Sequence, residues 1–140
     1  MFYNLRRLLF GNQMRGNSNS NFSQRSRNSN RCVYNLVSFE QAKNMIEADN
    51  VTLIDVRTQN EYEFMHIKNA INIPVDEIAS RISEMDSGKN LMVYCASGAR
   101  SKSAIQILNN LGYNNIYIWE YGALATFPYR ELIEYGEKKN

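Results

Sequence analysis

From Val33 onward, short apolar runs recur: "VYNLV", "VTLIDV", "AINIP", "NLMVYC" and "NIYIW". Stretches of a different character separate them, with apolar residues at helical spacing. Runs of four to six residues rich in Val and Ile suit strands buried on both faces. Strands that alternate with helices build a parallel sheet, because each parallel strand must be reached by a crossover that covers a face. The expected class is therefore α/β, three layers α/β/α around a five-stranded, mostly parallel sheet.

The intervening segments carry their own signals. Ser38 reads as a helix N-cap, and Gln41 completes a capping box. Phe39, Ala42, Met45 and Ile46 then form one apolar face. A short helix is expected from Gln59. A longer one is expected over Asp76–Met85, with Val75, Ile78, Ile82 and Met85 on one side. The pattern also predicts a helix over Ser101–Leu111, with Ala104, Ile107, Leu108 and Leu111 inward and Gly112 as the C′ residue. A last helix is expected over Pro128–Glu137.

The first part of the chain has a different composition. Residues 1–39 contain six arginines and no acid, so a net charge of +2 for the whole leaves −4 on the rest. A mildly acidic body does not favour nucleic acid. Residues 11–31 are Asn, Ser, Arg and Gly, too poor in apolar groups to offset ordering entropy. Residues 1–31 are read as a disordered basic tail and 32–140 as the folded domain. Two further readings of the tail are a removable organelle-targeting segment and a weak membrane-surface contact through Phe2, Leu5, Leu8, Leu9 and Phe10. No run is long enough to span a bilayer, so stable membrane insertion is not expected. Two separated cysteines, Cys32 and Cys95, and one histidine, His66, make neither a disulfide framework nor a zinc set. A reducing, cytoplasmic setting is the expectation, with organelle targeting as the alternative.

In a parallel sheet, ligands bind beyond the carboxyl ends of the strands. Cys95 stands at such an end, in "VYCASGARS". Ala96, Ser97, Gly98 and Ala99 are small enough for backbone N–H groups to converge, and Gly98 accepts positive φ without strain. The following helix adds positive potential at its N-terminus. A thiolate in that field is stabilised. Arg100 adds a cation whose planar fork suits an oxyanion. Position 98 is glycine, so no C-x-x-C redox pair exists. Four residues separate Cys95 from Arg100. Thiol phosphatase loops hold one more, and the tighter ring fits a sulfur atom better than a phosphoryl group.

These motifs together resemble the single-domain rhodanese (sulfurtransferase) family over about Leu36–Tyr129. "LIDVRTQNEYEFMHIKNAINIP" is similar to the family's first signature. "VYCASGARS" is similar to its active-site loop, and "NIYIWEYGALATFPY" to its closing segment. The resemblance implies a rhodanese-like fold and sulfur transfer through a persulfide on Cys95, from a donor such as thiosulfate to cyanide, a thiol or a protein. Cys95 is then catalytic. Ala96, Ser97, Gly98, Ala99, Arg100 and Ser101 bind the substrate. Asp55, Arg57 and Glu61 support the site, with Arg57 and Glu61 expected as an ion pair. His66 is expected to pack or to hydrogen-bond rather than to act as a base. No metal or organic cofactor is implied. The partners implied are a small anionic sulfur donor and a thiol or protein acceptor, with the chain a monomer or weak dimer. The alternatives are a non-enzymatic binding or sulfur-carrier module of the same fold, and a thiol phosphatase or arsenate reductase. Four positions depart from the family pattern: Met65, Asn69 and Tyr121 stand for glycines, and Phe127 for a tryptophan.

Overall fold

The computed structural model describes residues 32–85 and 88–137. The tail readings for residues 1–31 lie outside the described residues. Parallel strands β1 (Asn35–Leu36), β2 (Val51–Asp55), β4 (Ile71–Asn72), β5 (Asn90–Tyr94) and β6 (Ile116–Ile118) form one sheet in the order β1-β6-β5-β2-β4. The expected three-layer α/β/α fold is the one observed. β2 and β5 are central and buried along their whole length. They pair from Val51↔Asn90 to Asp55↔Tyr94, which explains two runs with almost no polar alternation.

The pleat sorts side chains into two cores. Leu53, Met92, Tyr94 and Tyr117 face one side, with Ala42, Met45 and Ile46 of α1 (Phe39–Glu47). Ile54, Leu91, Val93, Cys95 and Ile116 face the other, with Ile78 of α3 (Ile78–Arg81) and Ala104, Ile105 and Leu108 of α4 (Ala99–Asn110). Each fully buried aliphatic side chain contributes about 1.5–3 kcal/mol relative to exposure.

Local chemistry sets the helix starts. The Ser38 hydroxyl accepts from Gln41 N at 3.1 Å, and Ser38 N donates to Gln41 Oε1 at 2.9 Å. Thr58 and Glu61 make the same box for α2 (Gln59–Phe64). Such caps contribute about 1 kcal/mol each.

The structure corrects four expectations. The Asp76–Met85 helix is broken: 3-10 turns at Val75–Glu77 and Ile82–Glu84 flank a four-residue α3. No side chain caps this segment, and Arg81 is drawn to both Glu77 and Glu84. α4 starts at Ala99, not Ser101, because Gly98 takes φ 112° as its N-cap. Its inward face is Ser101, Ala104, Ile105 and Leu108, and Leu111 is left 43% exposed. The Pro128–Glu137 helix does not form. A 3-10 turn at Arg130–Leu132 leads into β7 (Ile133–Tyr135), antiparallel to β3 (Met65–Ile67). Pairing with β3 satisfies backbone groups that a local helix would leave there without a partner. Gly136 lets the chain pass so close to Glu63 that any side chain would collide with its carbonyl.

Two of the family departures are benign. Asn69 takes φ 69°, a left-handed position that Asn tolerates. Met65 has φ −164°, extended backbone open to any residue.

Candidate functional site

Cys95 follows directly on β5 and is fully buried. Its backbone extends the sheet by one parallel bridge to Ala123. Cys95 N donates to Gly122 O at 3.0 Å, and Leu124 N donates to Cys95 O at 2.8 Å. The sulfur is therefore held on a rigid strand end, not a loose loop.

The chain then curls back over the sulfur. Gly98 N donates to Cys95 Sγ at 2.9 Å and Ser101 N at 3.3 Å. Both donors belong to the start of the 12-residue α4, where N–H groups have no helical partner. Negative charge on the sulfur thus meets two hydrogen bonds and the positive end of the helix. The Ser101 hydroxyl is turned away and donates to Gly122 O at 2.8 Å. Gly98 is required twice. Its φ of 112° suits glycine, and an added Cβ would sit 2.5 Å from the Tyr121 carbonyl. Ala96 is half-buried, while Ser97 and Ala99 are exposed.

The supporting charges pair differently from the expectation. Arg57 does not pair with Glu61. It donates to the Asp55 carboxylate, Nη2 to Oδ2 at 2.6 Å and Nε to Oδ1 at 3.0 Å. It also donates to Met65 O at 2.6 Å, which ties the end of β2 to β3. Arg57 precedes the Thr58 cap, so its side chain does not share a helix face with Glu61.

Glu61 takes Arg100 instead, bidentate at 2.6 and 3.0 Å. Arg100, expected to bind substrate, has its fork engaged by this carboxylate. Glu61 also accepts from Thr58 N and the Thr58 hydroxyl. The Arg100 fork, with Thr58 behind it, holds the Glu61 carboxyl at about 2 against an ordinary 4.5. A depressed carboxylate contributes stability above its unfolded value and loses it as pH falls. The stability lost by Glu61→Gln is expected to be constant above 4.5 and to shrink as pH falls toward about 2. Denaturant midpoints of both proteins across that range measure it. Each partner is about a third exposed (36% and 35%), so solvent screens part of the attraction.

Sequence reading did not find Thr58 or the Gly122–Ala123 partners of Cys95. Thr58-x-x-Glu61 was readable as a capping box. The Gly122–Ala123 contact is a tertiary pairing with no local signature. His66 stacks on Tyr62, centroids 3.8 Å apart, and its Nδ1 lies 2.8 Å from Tyr62 O. The ring is thus held by stacking and by a hydrogen bond, and its Nε2 lies 3.9 Å from Glu134 Oε1. Trp119 is fully buried between Tyr94 and Phe127, with its N–H on Ala123 O. Cys32 lies beside α4, its sulfur 3.8 Å from Lys102 O. Among the described residues no cluster of His, Cys, Asp and Glu could hold a metal ion.

The chain is 30% identical over 105 residues to a tRNA uridine(34) hydroxylase of Yersinia pestis, covering 71% of this chain and 27% of that protein. It is 38% identical over 68 residues to an HTH-type transcriptional regulator of Mycobacterium tuberculosis, covering 47% of this chain and 30% of the regulator. The chain thus spans under a third of the length of either curated relative. A rhodanese-related protein from Thermoplasma volcanium superposes with a TM-score of 0.58 at 30% identity, over 67% of this chain and 90% of that one. A sequence model of the Rhodanese-like domain matches residues 38–125, from the cap of α1 to just past the bridge that holds Cys95. Fold and sequence match agree, and the chain belongs to the rhodanese-like domain family.

Proposed function

We propose that this domain carries sulfane sulfur on Cys95 and passes it to a thiophilic acceptor. One observation supports the reading most directly: two backbone N–H groups at the start of α4 point at a sulfur fixed to a strand end. Those donors face Sγ, where the charge of the attacking thiolate sits. In the first step the Cys95 thiolate attacks the outer sulfur of thiosulfate. The S–S bond of the donor breaks and sulfite leaves with the electron pair. In the second step cyanide, or a thiolate, takes the outer sulfur and returns Cys95 as thiolate. No metal or redox partner enters the balance.

This is covalent catalysis in two half-reactions. Purified protein with thiosulfate and cyanide is expected to form thiocyanate and sulfite in equal amounts. Double-reciprocal plots at several cyanide concentrations are expected to be parallel. Intersecting lines, or no thiocyanate from folded protein, would refute the two-step reading.

A second reading has its own support. Cys95 is fully buried, Arg100 is engaged by Glu61, and one relative is a transcriptional regulator. A domain of this kind also serves as a binding or sulfur-carrier module within a larger protein. It would load sulfur once without multiple turnover.

A further inference from the structure

Tyr121 is held in a conformation that favours glycine. Its backbone lies at φ 65°, ψ −10°, followed by Gly122 at φ 57°. An aromatic residue in the left-handed region is strained, and strain of this kind persists where the surroundings impose it. Here they do. Gly122 N donates to Trp119 O at 2.8 Å, and Gly122 O accepts from both Cys95 N and Ser101 Oγ. The Tyr121 carbonyl packs directly against Gly98, and its Cβ lies 3.5 Å from where a Cβ on Gly98 would stand. Gly98 N in turn donates to the Cys95 sulfur.

The side chain gains nothing inside the fold. The residue is 65% exposed, and the phenol makes no hydrogen bond to the described residues. The other exposed large apolar side chains among the described residues lie elsewhere in the chain: Tyr34 just before β1, Leu36 on β1, Phe64 at the end of α2, Leu111 after α4 and Tyr135 on β7. Within the loop after Cys95 and the segment bridged to it, the exposed residues Ser97, Ala99 and Ala125 are small, and Glu120 and Thr126 are polar. The cation of the loop, Arg100, is engaged by Glu61. The Tyr121 backbone is thus fixed against the loop that holds the sulfur, while its side chain stays open to solvent.

We propose that Tyr121 selects the sulfur acceptor: its ring is the wall against which the peptide body of a cysteine-containing acceptor rests while the thiol reaches the loaded sulfur. This rests on the persulfide reading of Cys95. Tyrosine offers a large amphipathic contact with few rotors to immobilise, which suits a peptide better than a bare anion. In the step itself, the acceptor thiolate attacks the outer sulfur. A new S–S bond forms on the peptide, the bond to Cys95 Sγ breaks, and Cys95 returns as thiolate.

The test uses the full chain and two probes, glutathione and cyanide. Wild type, Tyr121→Asn and Tyr121→Phe are loaded with thiosulfate, the load is confirmed by intact mass, and discharge to each probe is timed. Asn keeps the left-handed backbone accessible and removes the ring. The ratio of the glutathione to the cyanide second-order rate constant is expected to fall about tenfold in Tyr121→Asn, the scale of one lost aromatic anchor. The fall should reside in the glutathione concentration dependence, and Tyr121→Phe should keep the wild-type ratio. An unchanged ratio in loaded Tyr121→Asn overturns the acceptor role alone. A fall of the same size in Tyr121→Phe overturns the ring contact. Wild-type protein that never loads sulfur overturns the persulfide reading, and the acceptor role with it.

Discussion

Cys95→Ser is expected to fold like the wild type and to lose thiocyanate formation by at least about a thousandfold, because the step removed is the covalent one. The substitution is mild for the fold. Serine is close in size, and its hydroxyl oxygen can accept from Gly98 N and Ser101 N as the sulfur does. The backbone bonds of Cys95 to Gly122 and Leu124 do not involve the side chain. A serine oxygen cannot carry sulfane sulfur at neutral pH. Steady-state assays with thiosulfate and cyanide, paired with thermal melts, separate the chemical loss from any loss of fold. Residual turnover above one part in about a hundred would mean that another group bears the sulfur.

Asp55→Ala is expected to destabilise the domain by about 3–5 kcal/mol, the cost of leaving a buried charge without its partner. Asp55 is fully buried and Arg57 is 5% exposed. The carboxylate takes the Arg57 side chain on both oxygens and also accepts from Arg57 N at 2.9 Å. With the carboxylate gone, the guanidinium keeps Met65 O and loses its counter-charge. Small domains have about 5–15 kcal/mol in all, so the single variant sits near unfolding. The double variant Asp55→Ala with Arg57→Met removes both charges and is expected to recover part of the loss. Urea midpoints of the three proteins measure it. A single variant within about 1 kcal/mol of wild type would show that the pair is not the clamp between β2 and β3.

The parts of this fold that sequence reveals are those decided locally. The central strands are legible because burial on both faces demands unbroken apolar runs. α1 is legible because Ser38 and Gln41 satisfy each other within one turn. The last segment is not legible, for the opposite reason. Leu132 and Ile133 allow either a helix or a strand, and the choice is made by the free edge of β3, far away in sequence. Gly136 was the readable hint, since glycine in such a run marks close backbone approach.

The candidate site divides in the same way. Cys95 was placed by topology, because a parallel sheet puts ligands at strand ends. The need of Arg100 for an anion was also readable, since a cation at a helix N-terminus opposes the dipole. Its partner was not readable, because Glu61 lies 39 positions earlier. Arg57 and Glu61 have the spacing of a helical ion pair, but the helix starts only after Thr58. Arg57 therefore stays with Asp55, two positions back, on the turn out of β2.

Sulfur loading on Cys95 is tested most directly by the intact mass of the full chain after thiosulfate, with the labelled cysteine located by peptide mapping. The persulfide account predicts a gain of one sulfur atom on the Cys95 peptide, reversed by cyanide and absent from Cys95→Ser. Folded wild-type protein that gains no sulfur, or a gain that persists in Cys95→Ser on Cys32, would contradict it.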